Sequence, residues 1–180
     1  VMFTWFFPQT ITSIGNFCNR FRFDFDIISD TTIIVETRLH VLIILDSHGT
    51  IKNNSKIIKT CKHVPTIIVT SETISKLNLN RLQKLPLDLI VCGRNQVNIT
   101  KLLSILSKKG IKTVLLEGGG TLNRSFLKKN LIDEMIIALT PYVLGSKNTV
   151  SLFEGLSFPS LKIKFPLKLK NIQKNGNEII

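Results

Sequence analysis

Cysteine and histidine are scarce in this chain of 180 residues, which contains three of each. Cys18, Cys61 and Cys92 form no C-x-x-C pair, and no two histidines stand in a His-x-x-x-His spacing. An odd number of cysteines without zinc-like spacing argues against a disulfide framework and against a structural zinc site. The sequence therefore predicts no metal centre and a reducing, cytoplasmic location.

Long apolar runs are missing as well. No segment reaches the ~18 consecutive apolar residues that a membrane-spanning helix needs. Residues 1–8 are mostly apolar, but they lack the basic region and the small-residue cleavage site of a signal peptide. We therefore expect no membrane partner, and a content of 43% hydrophobic residues fits an ordinary globular domain.

Acidic residues number only 12 against 24 basic ones, so the formal net charge is +12. The surplus lies beyond residue 38, because residues 1–38 hold three basic and four acidic side chains. Such a charge can attract a phosphorylated metabolite, nucleic acid or an anionic membrane, although scattered lysines are most simply solvated surface charges. Residues 17–26 interleave phenylalanines with two arginines, a pattern that can stack on bases, but two aspartates cancel those arginines. The sequence thus predicts no nucleic-acid partner.

From residue 39 onward, short β-branched runs alternate with helical patterns. The runs at residues 40–46, 65–70 and 87–93 are typical of strands buried on both faces, and two further strands are predicted at 113–117 and about 134–140. Ile99, Leu102, Leu103 and Leu106 fall on one face of a helix that Asn98 can cap and Gly110 can end. A second helix is predicted over about 121–129. This alternation predicts an α/β fold with parallel strands. Apolar and polar residues alternate over 167–172, and the Asn-Gly pair at 175–176 that follows predicts a C-terminal antiparallel hairpin at the edge of the sheet.

A run of glycines, Gly118 to Gly120, stands between the strand at 113–117 and the helix that follows. Backbone N–H groups at a helix N-terminus lack intrahelical acceptors, and glycine lets a phosphate approach them closely. The run matches neither the Rossmann nor the P-loop pattern, so a pyrophosphate site and a tight turn without ligand both remain open. Glu117, at the end of the strand, can accept hydrogen bonds from the hydroxyls of a sugar or the amine of a base. Alternatively, it acts as a helix-cap partner or forms an ion pair with a lysine.

Several short runs, taken in order, resemble one known family. They are L-E-G-G-G-T-L-N at 116–123, L-I-D-E at 131–134, T-P at 140–141 and L-G at 144–145, with L-D-S at 45–47, T-I-I-V-T-S at 66–71 and C-G at 92–93 upstream. Together they resemble the reductase domain of the riboflavin-biosynthesis deaminase/reductase, above all its stand-alone archaeal form. The ordered match extends from about residue 39 to residue 180.

This resemblance implies a dihydrofolate-reductase-like mixed sheet with flanking helices, NADPH as hydride donor and a homodimer. It implies an enzyme that reduces the ribosyl group of a (di)amino-ribosylamino-pyrimidine 5′-phosphate to ribityl. It assigns a substrate contact to Glu117 and identifies no catalytic residue. The residues that it assigns to NADPH are Ser47, Gly119, Gly120, Thr121, Leu122, Asn123 and Ser125.

Some positions depart from the family pattern. Arg124 stands where the family has tryptophan, Ser146 replaces the second glycine of a pair, and residues 1–38 lack the family's substrate-binding segments apart from a remnant at 30–35. We therefore divide the chain into a divergent segment, 1–38, and a reductase domain, 39–180, and expect both ends to be incomplete. Catalysis is then expected to be weak. The alternatives are a dihydrofolate-reductase-like enzyme of another substrate, and a catalytically dead nucleotide-binding or dimerisation remnant.

Overall fold

The computed structural model describes residues 2–5, 32–35, 41–139, 141, 151–155 and 167–180. The backbone divides into two compact units, one formed by Thr31–Glu117 and the other by Val1–Asp30 with Gly118–Ile180. The alternating phenylalanines at 21–25 and the L-G pair at 144–145 lie outside the described residues. The predicted division of the chain at residue 38 stays a prediction.

Strands and helices alternate along the described residues. In chain order they are β1 (Met2–Trp5), β2 (Thr32–Val35), β3 (Val41–Leu45), α1 (Lys56–Thr60), β4 (Thr66–Thr70), α2 (Lys76–Leu82), β5 (Asp88–Val91), α3 (Ile99–Lys108), β6 (Leu115–Leu116), α4 (Gly120–Lys128), β7 (Glu134–Ile137), β8 (Lys174–Asn175) and β9 (Glu178–Ile179). All five strands that the apolar runs predicted are present. The chain is therefore an α/β protein, as predicted.

The unit Thr31–Glu117 is built on a mixed sheet with the strand order β5-β4-β3-β2-β6. Strands β3, β4 and β5 pair in parallel, whereas β2 pairs antiparallel with both β3 and β6. Because β2 runs against both of its neighbours, β6 has the same direction as β3, β4 and β5. The predicted parallel direction is thus confirmed, but β6 does not lie beside another parallel strand of this unit.

The core of this unit lies on β3 and β4. Every residue of β4 is buried, as are the last four residues of β3, so side chains on both faces of these strands are covered. Ile43 and Ile68 are completely inaccessible to solvent. Burying an isoleucine side chain of this kind stabilises a fold by about 1.5–3 kcal/mol relative to leaving it exposed. The prediction of strands buried on both faces is confirmed for β3 and β4, but it is wrong for β5, whose first and last residues, Asp88 and Val91, are exposed.

Three helices pack in the same unit. Helix α3 begins at the predicted cap, where Asn98 Oδ1 accepts a hydrogen bond from Lys101 N at 3.1 Å, and it buries Ile99, Leu102 and Leu106. The apolar periodicity therefore predicted this helix correctly. Helices α1 and α2 were not predicted, because they are only five and seven residues long and have too few turns to show a clear apolar period.

The other unit contains β1 and β7, which pair in parallel, together with α4, β8 and β9. Helix α4 lies within one residue of its predicted bounds and buries Leu122 and Phe126. Strands β8 and β9 form the predicted antiparallel hairpin, with Gly176 at a φ of +59° in its turn. An isolated bridge joins Leu139, just after β7, to Ile179.

Candidate active site

The N-terminus of α4 carries no capping side chain. Gly119 is its N-cap residue, and no side-chain hydrogen bond caps the helix, whereas α1, α2 and α3 each begin at a serine or asparagine that accepts a backbone N–H. The first backbone bond of α4 runs from Asn123 N to Gly119 O at 3.0 Å. No described residue accepts from the N–H groups of residues 120–122. Among the described residues, the turn therefore presents donors without an acceptor at the positive end of a helix dipole, which suits an anionic group.

The three glycines of the turn serve different purposes. A Cβ on Gly120 would lie 2.5 Å from Ser151 O, so close packing against the backbone requires glycine there, whereas a Cβ on Gly118 would lie 2.5 Å from Leu122 Cδ2, a side-chain atom that would have to shift. Gly119 differs, since its φ of −75° and ψ of 175° are accessible to any residue. It is also only partly buried. Backbone conformation therefore does not explain why glycine occupies position 119.

The polar side chains at the start of α4 donate their hydrogen bonds to acceptors within the protein. Thr121 Oγ1 donates to Glu154 Oε2 at 2.6 Å, and Asn123 Nδ2 donates to Leu152 O at 3.0 Å. Ser125 Oγ donates to Thr121 O one turn earlier, at 2.9 Å. The side chain of Asn123 is also fully buried, as is nearly all of Leu122. The donors of the turn that have no acceptor among the described residues are therefore its backbone N–H groups.

Residues 151–155 pack against the first turn of α4. Glu154 N donates to Gly120 O at 3.1 Å, beside the contact between the Glu154 carboxylate and Thr121. A Cβ on Gly155 would lie 2.7 Å from Arg124 Nη1, so the side chain at the atypical position 124 lies against this segment. Sequence reasoning missed residues 151–155, because they are about 30 residues away from the turn and carry no recognisable motif.

Ser47 belongs to the other unit, directly after β3. Its Oγ accepts a hydrogen bond from Val97 N at 3.2 Å, and its carbonyl oxygen accepts from Ser71 N at 3.0 Å and from Ser71 Oγ at 2.8 Å. Thr73 Oγ1 lies 2.7 Å from Ser71 Oγ and 3.3 Å from His48 Nδ1. These polar groups gather at the carboxyl ends of β3 and β4, the edge at which open α/β sheets bind ligands. The sequence singled out only Ser47 of this cluster.

Glu117 is the last residue of the same unit and is partly buried. Burial raises the pKa of its carboxyl group to about 7, because loss of hydration disfavours the charged form. No described residue forms an ion pair or hydrogen bond with its side chain. The interpretations of Glu117 as a cap partner or a lysine partner therefore have no support in the described part of the chain.

The six residues assigned to NADPH from Gly119 to Ser125 share one unit, around the first two turns of α4, whereas Ser47 and Glu117 belong to the other. Within the described ranges, no group of three His, Cys, Asp or Glu side chains is arranged to hold a metal ion. The helices of the same ranges include none with the length and apolar character needed to cross a membrane.

Solved structures of known proteins share this fold. A RibD structure from Acinetobacter baumannii matches with a TM-score of 0.61 and 26% sequence identity, over 76% of this chain and 35% of that one. A pyrimidine reductase-like protein from Corynebacterium diphtheriae matches with a TM-score of 0.59 and 17% identity, over 76% of this chain and 57% of that one. The second likeness concerns the fold alone.

Sequence relatives are reductases of riboflavin biosynthesis. A 2,5-diamino-6-ribosylamino-4(3H)-pyrimidinone 5′-phosphate reductase from Aquifex aeolicus is 34% identical over 66% of this chain and 53% of its own length. A 5-amino-6-(5-phosphoribosylamino)uracil reductase from Buchnera aphidicola is 32% identical over 77% of this chain and 64% of its own length. The chain thus spans about half the length of the first of these relatives. The family model of the RibD C-terminal domain matches residues 26–180. The chain therefore belongs to the RibD C-terminal domain family.

Proposed function

We propose that this chain is an NADPH-dependent reductase that converts the ribosyl group of an amino-ribosylamino-pyrimidine 5′-phosphate to ribityl. The observation that carries the proposal is the uncapped glycine turn of α4, in a member of a family whose relatives are named as reductases of this substrate class. The relatives that are named for this activity are longer than this chain, so the substrate and the full activity are part of what we propose.

The residues of α4 fit the phosphate end of a dinucleotide. The backbone N–H groups of residues 120–122 would bind the pyrophosphate, and a glycine at 119 has no side chain to keep a phosphate away from the backbone. Leu122, Asn123 and Ser125 then act mainly through the backbone or by holding the helix in place, since their side chains are buried or bonded within the protein. Ser47 Oγ accepts one hydrogen bond from the backbone, and its own hydrogen, which has no acceptor among the described residues, could be donated to the cofactor.

When bound, NADPH would supply the hydride that reduces C1′ of the sugar. Glu117 would contact the substrate, as the family pattern implies. A carboxyl group with a pKa of about 7 is present in both protonation states at neutral pH. It can therefore donate a hydrogen bond to a sugar oxygen or accept one from a hydroxyl or amine. This versatility suits a group that has to bind a sugar while its ring is opened and reduced.

A homodimer and a cytoplasmic location complete the proposal. The unit that contains α4 exposes several large apolar side chains near its C-terminal end. They are Leu139, Leu167, Leu169, Ile172 and Ile179, each about half exposed or more. The bridge between Leu139 and Ile179 brings two of them together. Large exposed apolar side chains can mark protein–protein contacts, and a second copy of the chain is the partner that the family resemblance implies. We name these five residues the C-terminal apolar surface.

The experiment is an NADPH titration of the wild-type chain and of Gly119→Val, followed by turnover measurements with the phosphoribosylamino-pyrimidine. Because the φ of Gly119 is negative, valine is compatible with the turn, and its branched Cβ should obstruct the phosphate. We expect at least tenfold weaker binding, about 1.4 kcal/mol. Equal thermal unfolding midpoints of the two proteins serve as the control for folding.

Turnover of the wild-type chain should fall below the ordinary range of ~1–10 per second, since residues 1–38 lack recognisable segments for the pyrimidine and poor positioning can cost a hundredfold or so. Equal NADPH affinity in the two proteins would refute the glycine-turn site. Binding without any turnover would favour the alternative of a nucleotide-binding remnant, and turnover with a different substrate would favour the other enzyme class.

A further inference from the structure

Glu154 places a carboxylate at the same helix start to which the proposed function assigns the cofactor phosphates. Its backbone N–H bonds to Gly120 O at 3.1 Å, and its Oε2 accepts the hydroxyl hydrogen of Thr121 at 2.6 Å. Helix α4 has neither a capping side chain nor an acidic residue in its first turn. Glu154 therefore supplies the negative charge that the positive end of this helix dipole otherwise lacks.

A phosphate at this turn would meet that charge. Two like charges a few ångströms apart repel each other, and near a protein surface the repulsion is stronger than in bulk water. The backbone bond from Glu154 N to Gly120 O keeps the residue beside the start of the helix, and the carboxylate itself is held by one hydrogen bond, from the Thr121 hydroxyl, which it has to give up in order to move away. The contact between Glu154 and Thr121 thus stabilises the glycine turn when it is empty and disfavours the binding of a phosphate there.

The hydroxyl of Thr121 has a single hydrogen to donate. While Glu154 accepts this hydrogen, the hydroxyl cannot donate it to a phosphate. The bond between Thr121 and Glu154 is exposed to solvent, whereas the side chain of Asn123 is fully buried. Among the side-chain bonds that α4 makes with residues 151–155, this is consequently the one that can exchange partners without uncovering the core.

We propose that Glu154 is an autoinhibitory residue. Its carboxylate accepts the hydroxyl hydrogen of Thr121 in the empty protein, and this hydrogen bond has to break when the pyrophosphate of NADPH binds. The inference rests on the proposed function and adds a regulatory contact to it. It implies that Glu154 stabilises the empty turn and weakens cofactor binding. A purely structural role predicts a different result, because loss of a structural contact should lower stability and affinity together.

The test compares Glu154→Gln with wild type in NADPH titrations and in thermal unfolding without ligand. Glutamine retains the shape and can still accept the Thr121 hydroxyl, but it has no charge. We expect NADPH to bind about three- to fivefold more tightly at low salt, the range of a partly screened surface charge, and the unfolding midpoint to fall. At ~1 M salt, where the screening length is about 3 Å, the gain in affinity should disappear.

Glu178→Gln is the matched control, since it removes the same charge from β9 of the same unit and Glu178 has no described contact with α4. Tighter NADPH binding by Glu154→Gln, but not by Glu178→Gln, supports the inference, as does binding by Glu154→Gln when wild type binds none. Equal or weaker binding by Glu154→Gln, with measurable binding by wild type, overturns the inference and leaves the proposed function standing. Absence of binding in both proteins overturns the two together.

Discussion

Two glutamates near the glycine turn differ in their surroundings. Glu154 has a hydroxyl partner, whereas Glu117 is partly buried and has no bonded partner among the described residues. The family resemblance pointed to Glu117 from its place in the run of glycines, and the sequence offered no means of identifying Glu154. The raised pKa of Glu117 also could not be predicted, because desolvation depends on the side chains that surround it after folding.

Glu117 should make the protein less stable at alkaline pH. Its pKa is about 7 in the folded protein and about 4.5 in the unfolded chain, so the folded state binds the proton more tightly. The free energy of unfolding should therefore fall as the pH rises through this interval, and it should stay lower above it. Glu117→Gln removes the free-energy cost of burying a charged carboxylate. We therefore expect this variant to be more stable than wild type by about 1–3 kcal/mol at pH ~8 but not at pH ~4.

Urea denaturation at the two pH values measures this difference. Glu72→Gln is the matched control, because it makes the same chemical change at an exposed glutamate of the same unit. A Glu117→Gln variant whose stability follows that of wild type at both pH values would contradict the raised pKa.

At the scale of elements, α3 was the helix that the sequence described most completely. Its apolar period, its cap at Asn98 and its end near Gly110, which has a φ of +83°, are all local features of the chain. The hairpin at Gly176 was also predicted, since Asn-Gly favours this kind of turn. The alternating residues at 167–172 that suggested a longer strand form no regular element, so the hairpin is shorter than the pattern indicated.

The cap of α3 should contribute measurably to stability. Asn98 Oδ1 satisfies the N–H of Lys101 in the first turn, and Asn98→Ala should lower the free energy of unfolding by about 1 kcal/mol. Asn95→Ala makes the same chemical change at an exposed loop residue whose side chain has no described hydrogen bond. Chemical denaturation of both variants checks the prediction, which fails if the two losses are equal.

At the scale of the whole molecule, the C-terminal apolar surface should hold the proposed dimer together. Leu139 is 61% exposed, so Leu139→Asp should leave the fold intact while placing a charge in the contact. Light scattering at micromolar concentration should give about twice the monomer mass of 20.3 kDa for wild type and the monomer mass for the variant. Leu77→Asp, at a leucine that is 80% exposed in the other unit, should remain dimeric. A wild-type mass of 20.3 kDa would exclude the dimer.

The sequence by itself determined the α/β class, the five main strands, the helices α3 and α4 and the position of the glycine turn. Each of these features depends on residues close together in the chain, through apolar period, capping and backbone freedom. The ordered runs around L-E-G-G-G-T-L-N were also sufficient to identify the family that the comparisons confirm.

Only the tertiary structure decided how distant segments meet. It placed β2 between β3 and β6, it brought Glu154 to Thr121 across 33 residues, and it removed solvent from Glu117. No local pattern records these contacts, since they follow from the packing of whole elements. The fold class and the family could therefore be predicted from the sequence. The contact of Glu154 with Thr121 and the raised pKa of Glu117 could not, because they depend on which residues lie close together after folding.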